Sequence, residues 1–337
     1  MDTLTHIVLG ACIGEVAAGK KIGRKALLIG AIAQSFPDID FIAATWEDTT
    51  HNLLTHRGIT HSLLFAGLIA VTMPFFLTKI KKLSAVTWQQ WALFWLIQLL
   101  IHIFLDTFNN YGVGWLEPFS HYRVSFNTVY VADPFLSIWP GIAFLVLIIL
   151  HLQSKKRRWW ALFGISMTTL YLIYATFNKL TTDAAINRAL DRQKISHNRY
   201  FTTPAPLNNW LWFVVAANDS GFYVGYRSVF EGQKPISFEY FPRNEKLLSA
   251  FPEKGDLARL KIFSQGYYTA EQWKDTLVFN DLRFGQEIGW QNPKGRFAFH
   301  YYLNFPSDNK LVVQRGRFAK WDKQSINTLI RRAFNTE

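Results

Sequence analysis

Eight residues near the start of this 337-residue chain have the types that ligate metals: the imidazoles His6, His56, His61 and His102, and the carboxylates Asp2, Asp38, Asp40 and Asp106. Asp2 and His6 are four apart, as are His102 and Asp106, so on a helix each pair shares one face. Asp38 and Asp40 occupy a short Pro37-Asp-Ile-Asp turn. His56 and His61 flank Gly58 in the run His56-Arg-Gly-Ile-Thr-His-Ser62. Their spacing of five puts them on different helical faces and predicts a loop-to-helix junction pivoting at Gly58. Nitrogen and carboxylate donors without thiolates suit a divalent ion, Zn²⁺ first, with Mn²⁺ and Fe²⁺ as alternatives, in a reactive site more than a purely structural one. Eight donors exceed the needs of one four-coordinate ion and would serve two or three. Water bound to such an ion has its pKa lowered toward ~7 and attacks a carbonyl or phosphoryl group. Asp40 and Arg57 are the candidate catalytic residues, Arg57 either holding an anionic substrate group or capping its loop.

Plainer roles compete. Asp2 also reads as a helix N-cap, Asp38 and Asp40 as an Asx turn, and His51, His121, His151, His197 and His300, taken singly, as hydrogen-bonded structural residues. For His102 and Asp106 the plain reading is weaker, because both lie in an apolar stretch where burial is costly unless they are paired or bound to something.

The elements that must position these residues divide the chain in two. Half of the residues are apolar and 18% are charged, with a net charge of +12. Up to about residue 178 there are 13 Lys/Arg and 9 Asp/Glu, and beyond it 23 and 15. The apolar and aromatic content excludes a disordered or collagen-like chain, and the single Cys12 excludes a disulfide scaffold. Four stretches have the length and apolarity of membrane helices: His61 to Thr78, Trp88 to Phe108, Pro134 to Leu152 and Trp159 to Phe177. Leu4 to Ala18 and Ala26 to Phe36 are shorter and read as interfacial, re-entrant or tightly packed helices. Asp2 and His6 occupy the place of a positive n-region, which argues against a signal peptide.

Eleven of the 13 basic residues of this half fall into three clusters, Lys20/Lys21/Arg24/Lys25, Lys79/Lys81/Lys82 and Lys155/Lys156/Arg157/Arg158. By the positive-inside rule these loops face the cytoplasm. The tracing then puts every carboxylate of the half except Glu15, together with the four imidazoles, on the extracytoplasmic side. The basic surplus is thus a topology signal, and no nucleic-acid partner is expected. The expected architecture is an all-α multi-pass membrane domain over residues 1–177 followed by a soluble α+β extracytoplasmic domain over 178–337. In the second part Asn209 to Ala217 and Phe222 to Phe230 form a hairpin about Asn218-Asp-Ser-Gly221. Ile236 to Phe241, Thr276 to Val278, Arg296 to Phe305 and Lys310 to Arg317 are further strand candidates, and Asp322 to Phe334 a closing amphipathic helix. Arg188, Arg192, Lys194 and Arg199 read first as a solvated basic face, with anionic lipid head groups as the alternative.

Met1-Asp-Thr-Leu-Thr-His6, Pro37-Asp-Ile-Asp40, His56-Arg-Gly-Ile-Thr-His-Ser62 and His102-Ile-Phe-Leu-Asp106, with Tyr111-Gly112 and Pro118-Phe-Ser120, resemble the YdjM-type family of bacterial inner-membrane, metal-dependent hydrolases. The resemblance covers residues 1 to 180, and Pro204 to Trp212 with its hairpin is similar to the family's extracytoplasmic tail. Asp133-Pro134 matches a family element with no role attached. The Asp/His mixture also resembles, by ligand pattern alone, the zinc-dependent phospholipase C and P1 nuclease group. What these resemblances imply is a membrane-bound hydrolase of a phosphoester or other membrane-associated substrate, with a membrane lipid or lipid-linked molecule as partner. The alternative is a transporter or envelope-assembly protein binding an ion through the same residues. Against it, the inner halves of the spans are apolar apart from Gln98. The absence of His-Glu-x-x-His makes a zinc peptidase a poorer reading. Oligomeric state is left open.

Overall fold

The structure is a computed structural model, and it describes residues 2–232, 234–305, 309 and 321–336. The chain divides into two compact units, Met1–Thr45 with Thr55–Ala175, and Trp46–Leu54 with Thr176–Glu337. A reading by hydropathy leaves Trp46–Leu54 with the membrane half. Its hydrogen bonds explain why it groups with the second unit: the Thr50 hydroxyl donates to Asp256 at 2.6 Å, and Arg259 donates to Asp48 and to Thr50.

The first unit is helical. Its elements are α1 (Thr3–Ile22), α2 (Lys25–Ser35), a 3-10 segment (Phe36–Thr45), a 3-10 turn (Ile59–His61), α4 (Leu63–Leu77), α5 (Trp88–Asp106), α6 (Pro134–Ile149) and the start of α7 (Lys156–Arg192). A short helix, α3 (Thr49–Thr55), precedes the turn. Helices α5 and α7, with 19 and 37 residues, are long and apolar enough to cross a membrane, and a bent pair ending in α4 makes a third candidate if it counts as one span. Two or three candidates therefore stand where four spans were expected. The 15 residues of α4 start at a Ser62 cap that accepts the Phe65 N–H at 3.1 Å. The 16 residues of α6 rise about 24 Å, short of a hydrocarbon core of about 30 Å.

Helices α1 and α2 meet through glycines. A Cβ on Gly30 would lie 2.1 Å from the Gly10 carbonyl oxygen, and one on Gly14 would lie 2.1 Å from that of Ala26. Small residues allow this backbone approach, as in membrane helix pairs generally. On α5, Trp91, Trp95, Gln98, Leu99, His102, Ile103 and Asp106 form one buried stripe at helical spacing. Its apolar members pack with Ala66, Ala70 and Ala33, and Trp95 meets Phe36 edge to face at 5.4 Å. Two buried polar side chains of this unit, Gln98 and Glu15, are bonded. The Gln98 amide donates to the Gly10 carbonyl at 3.1 Å, and Glu15 makes a bidentate pair with Arg157 at 2.8 and 2.7 Å. Asp133 caps α6 by accepting the Phe135 N–H, and also accepts the Tyr171 hydroxyl at 2.7 Å. Burial pushes the Asp133 carboxyl up to about 6.

The second unit has two antiparallel sheets, β1-β2-β3-β4 and β5-β6-β7. The strands are β1 (Arg199–Pro204), β2 (Leu211–Ala217), β3 (Gly221–Ser228), β4 (Phe238–Pro242), β5 (Tyr268–Trp273), β6 (Thr276–Gln286) and β7 (Phe297–Tyr302). The expected hairpin is β2 and β3, and the Asn218 side chain closes its turn by accepting the N–H groups of Ser220 and Gly221. Strand β2 is buried throughout because both faces are covered. Phe213, Val215 and Ala217 join the core of Phe222, Val224, Tyr226, Leu282 and Trp290, whereas Val214 and Ala216 meet Ile186 and Leu190 of α7. Helix α8 (Asp256–Phe263) and helix α9 (Lys323–Phe334) complete the unit; Asp322 and Ser325 form a capping box at the start of α9. The strand expected over Lys310 to Arg317 lies outside the described residues.

Candidate metal centre

Four side chains converge: Asp38, His61, His102 and Asp106 each offer one ligand atom, all within 4.8 Å of one another. They come from the 3-10 segment after α2, the turn before α4, and the last two turns of the buried stripe of α5. His61, His102 and Asp106 are fully buried, and the Asp38 side chain is 15% exposed.

Hydrogen bonds fix which ring nitrogens face the centre. His102 Nδ1 lies 2.5 Å from the Gln34 carbonyl, an acceptor only, so Nδ1 carries the proton and the neutral ring turns the lone pair of Nε2 inward. His61 Nδ1 lies 3.3 Å from Asp40 Oδ2 and 3.0 Å from the Thr60 hydroxyl, which likewise leaves its Nε2 as an acceptor. The two Nε2 atoms are 3.0 Å apart. Asp38 Oδ1 lies 3.6 Å from each of them, and Asp106 Oδ2 lies 3.5 Å from one and 3.9 Å from the other. Four acceptors directed at one point repel each other unless a cation lies among them. Donors about 2.0 to 2.2 Å from a tetrahedral ion are about 3.3 to 3.6 Å from each other, so the spacing fits a small divalent ion. Three nearby carboxylates less the guanidinium of Arg57 leave a charge that such an ion balances. Asp38 Oδ2, on the carboxylate that faces the group, is buried without a hydrogen-bond partner.

The other expected residues hold this group or lie apart from it. His6 donates from Nε2 to Asp106 Oδ1 at 3.1 Å and stacks on His102 with ring centres 3.8 Å apart. Asp40 accepts from His56 Nδ1 at 2.9 Å, the Arg57 N–H at 2.8 Å and the Thr60 hydroxyl at 3.0 Å, besides His61. Burial pushes the Asp40 carboxyl up, but the hydrogen bonds from His56 and His61 outweigh it and hold the group well below the ordinary carboxylate range. The His56 side chain is 34% exposed, the most open member of the group. Arg57, with a positive φ of 62°, reaches Asp106 Oδ2 at 3.0 Å, donates to Asn109 Oδ1 at 2.6 Å and lies over the Tyr111 ring. Asp2 is not part of the converging four; it caps α1, accepting the Thr5 N–H at 2.9 Å and the Thr5 hydroxyl at 2.7 Å.

Residue types alone missed the Gln34 carbonyl, Thr60 and Asn109. Gln34 carried a signal, as the one polar side chain in the apolar run Ala26 to Ser35 apart from its terminal serine. Thr60 lies inside the His56 to Ser62 motif.

A family model described as YdjM inner membrane protein matches residues 1–181. The chain is 27% identical to the uncharacterized protein YfhP of Bacillus subtilis over 340 residues, covering 95% of each chain. It is 34% identical to the inner membrane protein YbcI of Escherichia coli over 122 residues, covering 36% of this chain and 69% of that protein. No solved structure matches.

Proposed function

The chain belongs to the YdjM inner membrane protein family, and from that premise we propose that Asp38, His61, His102 and Asp106 hold a divalent metal, Zn²⁺ before Mn²⁺ or Fe²⁺, in a membrane-bound metal-dependent hydrolase. The observation that carries this reading is the pair of inward Nε2 lone pairs 3.0 Å apart, flanked by two carboxylates. An ion held there supplies Lewis acidity and a water acidified toward ~7.

The chain's own residues do the rest. The Gln34 carbonyl and Asp40 keep both imidazoles in the ligating tautomer, and His6 orients Asp106; such supporting partners set ligand direction and basicity. In this proposal one ion sits at the four-donor group, while His6, His56, Asp40 and Asp2 serve it indirectly, Asp2 by capping the helix that carries His6. Arg57 keeps the acting role assigned from sequence, whereas Asp40 becomes a positioning residue behind His61. The Arg57 guanidinium presents positive charge beside the centre to an anionic substrate group, and Asp40 ties His61 to the exposed edge at His56. A phosphoester of a membrane lipid or lipid-linked molecule fits these charges, and nucleic acid is not proposed as a partner. The three basic clusters support placing the centre and the second unit on the extracytoplasmic side.

Metal analysis of detergent-purified protein tests the reading. Bound transition metal lost in a His61→Ala/His102→Ala variant is expected, together with hydrolysis of bis-p-nitrophenyl phosphate or short-chain phospholipid that Asp106→Asn abolishes. Wild-type protein without transition metal overturns the centre, and metal-loaded protein inactive on all phosphoesters overturns the substrate class.

A further inference from the structure

The second unit contains a cavity of about 610 Å³ whose lining, among the described residues, has four cationic side chains and no carboxylate: Arg188 and Arg192 of α7, Arg227 of β3 and Lys234 of the following loop, with Gln193 beside them. Its volume is within the usual range of small-ligand pockets, about 300 to 1,000 Å³. Arg188 and Arg192 are four apart, so both guanidiniums stand on one exposed face of α7, where like charges oppose each other. Arg227 is only 7% exposed. It donates to the backbone carbonyls of Gly232 and Lys234, which orient the fork without neutralising it. The acidic residue of that loop, Glu231, is already engaged by the Ser228 N–H and by Arg332. Burial first, then the charges of Arg188 and Arg192, lower the pKa of Arg227. A buried charge is costly without a counter-charge, and among the described residues no ion pair supplies one here.

We propose that this crevice binds a phosphate-bearing anion, received by the forks of Arg188, Arg192 and Arg227 and the ammonium of Lys234. Planar guanidinium forks match phosphate oxygens bidentately. The basic run seen in the sequence is thereby divided: Arg188 and Arg192 belong to the crevice, whereas Arg199 lies over the Tyr267 ring and donates to the Gln265 carbonyl. The anion is either a lipid head group or a soluble phosphate compound, and the chemistry of recognition is the same for both.

The full chain in neutral detergent with EDTA, so that no metal centre contributes, is titrated calorimetrically with inorganic pyrophosphate and, separately, with dihexanoyl phosphatidylglycerol against dihexanoyl phosphatidylcholine. Binding of pyrophosphate marks a soluble ligand, and binding of phosphatidylglycerol alone marks a head group. In either case affinity is expected to fall at least about tenfold in Arg188→Gln/Arg192→Gln and in Lys234→Gln. It is expected to be unchanged in Lys254→Gln/Lys274→Gln, which removes the same charge from exposed positions outside the crevice. Failure of wild type to bind either anion, or equal loss in the control variant, overturns the proposal.

Discussion

Replacing Gly30 by alanine tests how the crossing of α1 and α2 supports the metal centre. In an ordinary helix Gly→Ala is stabilising by up to about 1 kcal/mol. Here the new Cβ would stand 2.1 Å from the Gly10 carbonyl oxygen, 2.9 Å from its carbon and 3.0 Å from the Gly14 Cα, all backbone atoms that cannot rotate away. Restoring an ordinary contact of about 3.4 Å moves the helices apart by about 1.3 Å, an overpacking that costs about 1–3 kcal/mol. Gln34 is one turn beyond Gly30, and its carbonyl holds His102 Nδ1 at 2.5 Å. Passed on in full, the shift takes that hydrogen bond beyond 3.5 Å and frees the His102 ring. Loss of a partner behind a ligand typically costs 10- to 100-fold in metal affinity. The assay is competition of purified protein with a zinc chelator of known affinity, alongside thermal unfolding monitored by tryptophan fluorescence. The control is Gly67→Ala in α4, where an added Cβ meets nothing within 4 Å, so the helix-propensity gain stands alone. Gly30→Ala that binds zinc as wild type does and melts at or above the wild-type temperature would refute the coupling.

Three further outcomes are expected. Asp40→Asn offers one oxygen to the donors that the carboxylate now shares among His56, His61, Arg57 and Thr60, so zinc affinity falls about 10- to 100-fold; unchanged zinc retention in dialysis counts against the role given to Asp40. Asp133 titrates near 6 when folded and ~3.9 when unfolded, so it favours the folded state fully below about pH 4 and loses that contribution, up to about 3 kcal/mol, as pH rises through 6. The melting temperature of wild type relative to Asp133→Asn, which keeps a good N-cap, therefore drops between pH 4 and pH 6.5, and a rise contradicts the assignment. Glu15→Gln leaves Arg157, only 3% exposed, without its counter-charge and destabilises by about 3–5 kcal/mol; Glu15→Gln/Arg157→Met recovers most of that loss in a denaturation series, and a double variant no better than the single one speaks against a charge effect.

The four side chains that converge were legible because few residue types can ligate a metal, and helical spacing reports which side chains share a face. His102 and Asp106 lie on one stripe of α5 as their spacing of four requires, and His61 is in a turn following Gly58. Spacing carries no information about the order in which side chains shield each other. Asp38 faces the centre and Asp40, two residues on, faces away toward His56, because the 3-10 segment turns alternate carboxylates in different directions. Backbone acceptors such as the Gln34 carbonyl have no side-chain signature at all. In the second unit the hairpin turn was plain from Asn218-Asp-Ser-Gly221, but β1 and β5 were not, since Arg199–Pro204 and Tyr268–Trp273 mix polar and apolar residues without strict alternation. The length of α7 was also hidden: its apolar stretch ends near Phe177, and the polar turns that follow stay helical because Ile186 and Leu190 cover Val214 and Ala216.

The ion pair of Glu15 with Arg157 also constrains biogenesis. The two residues are 142 positions apart, so the carboxylate is synthesised long before its partner. At elongation rates of about 5–20 residues per second the interval is about 7 to 28 seconds. Throughout it α1 carries an acidic group with no counter-charge, which cannot settle into apolar surroundings at acceptable cost. The first helix made is therefore expected to gain its buried counter-charge only once the start of α7, which carries Arg157, has been synthesised.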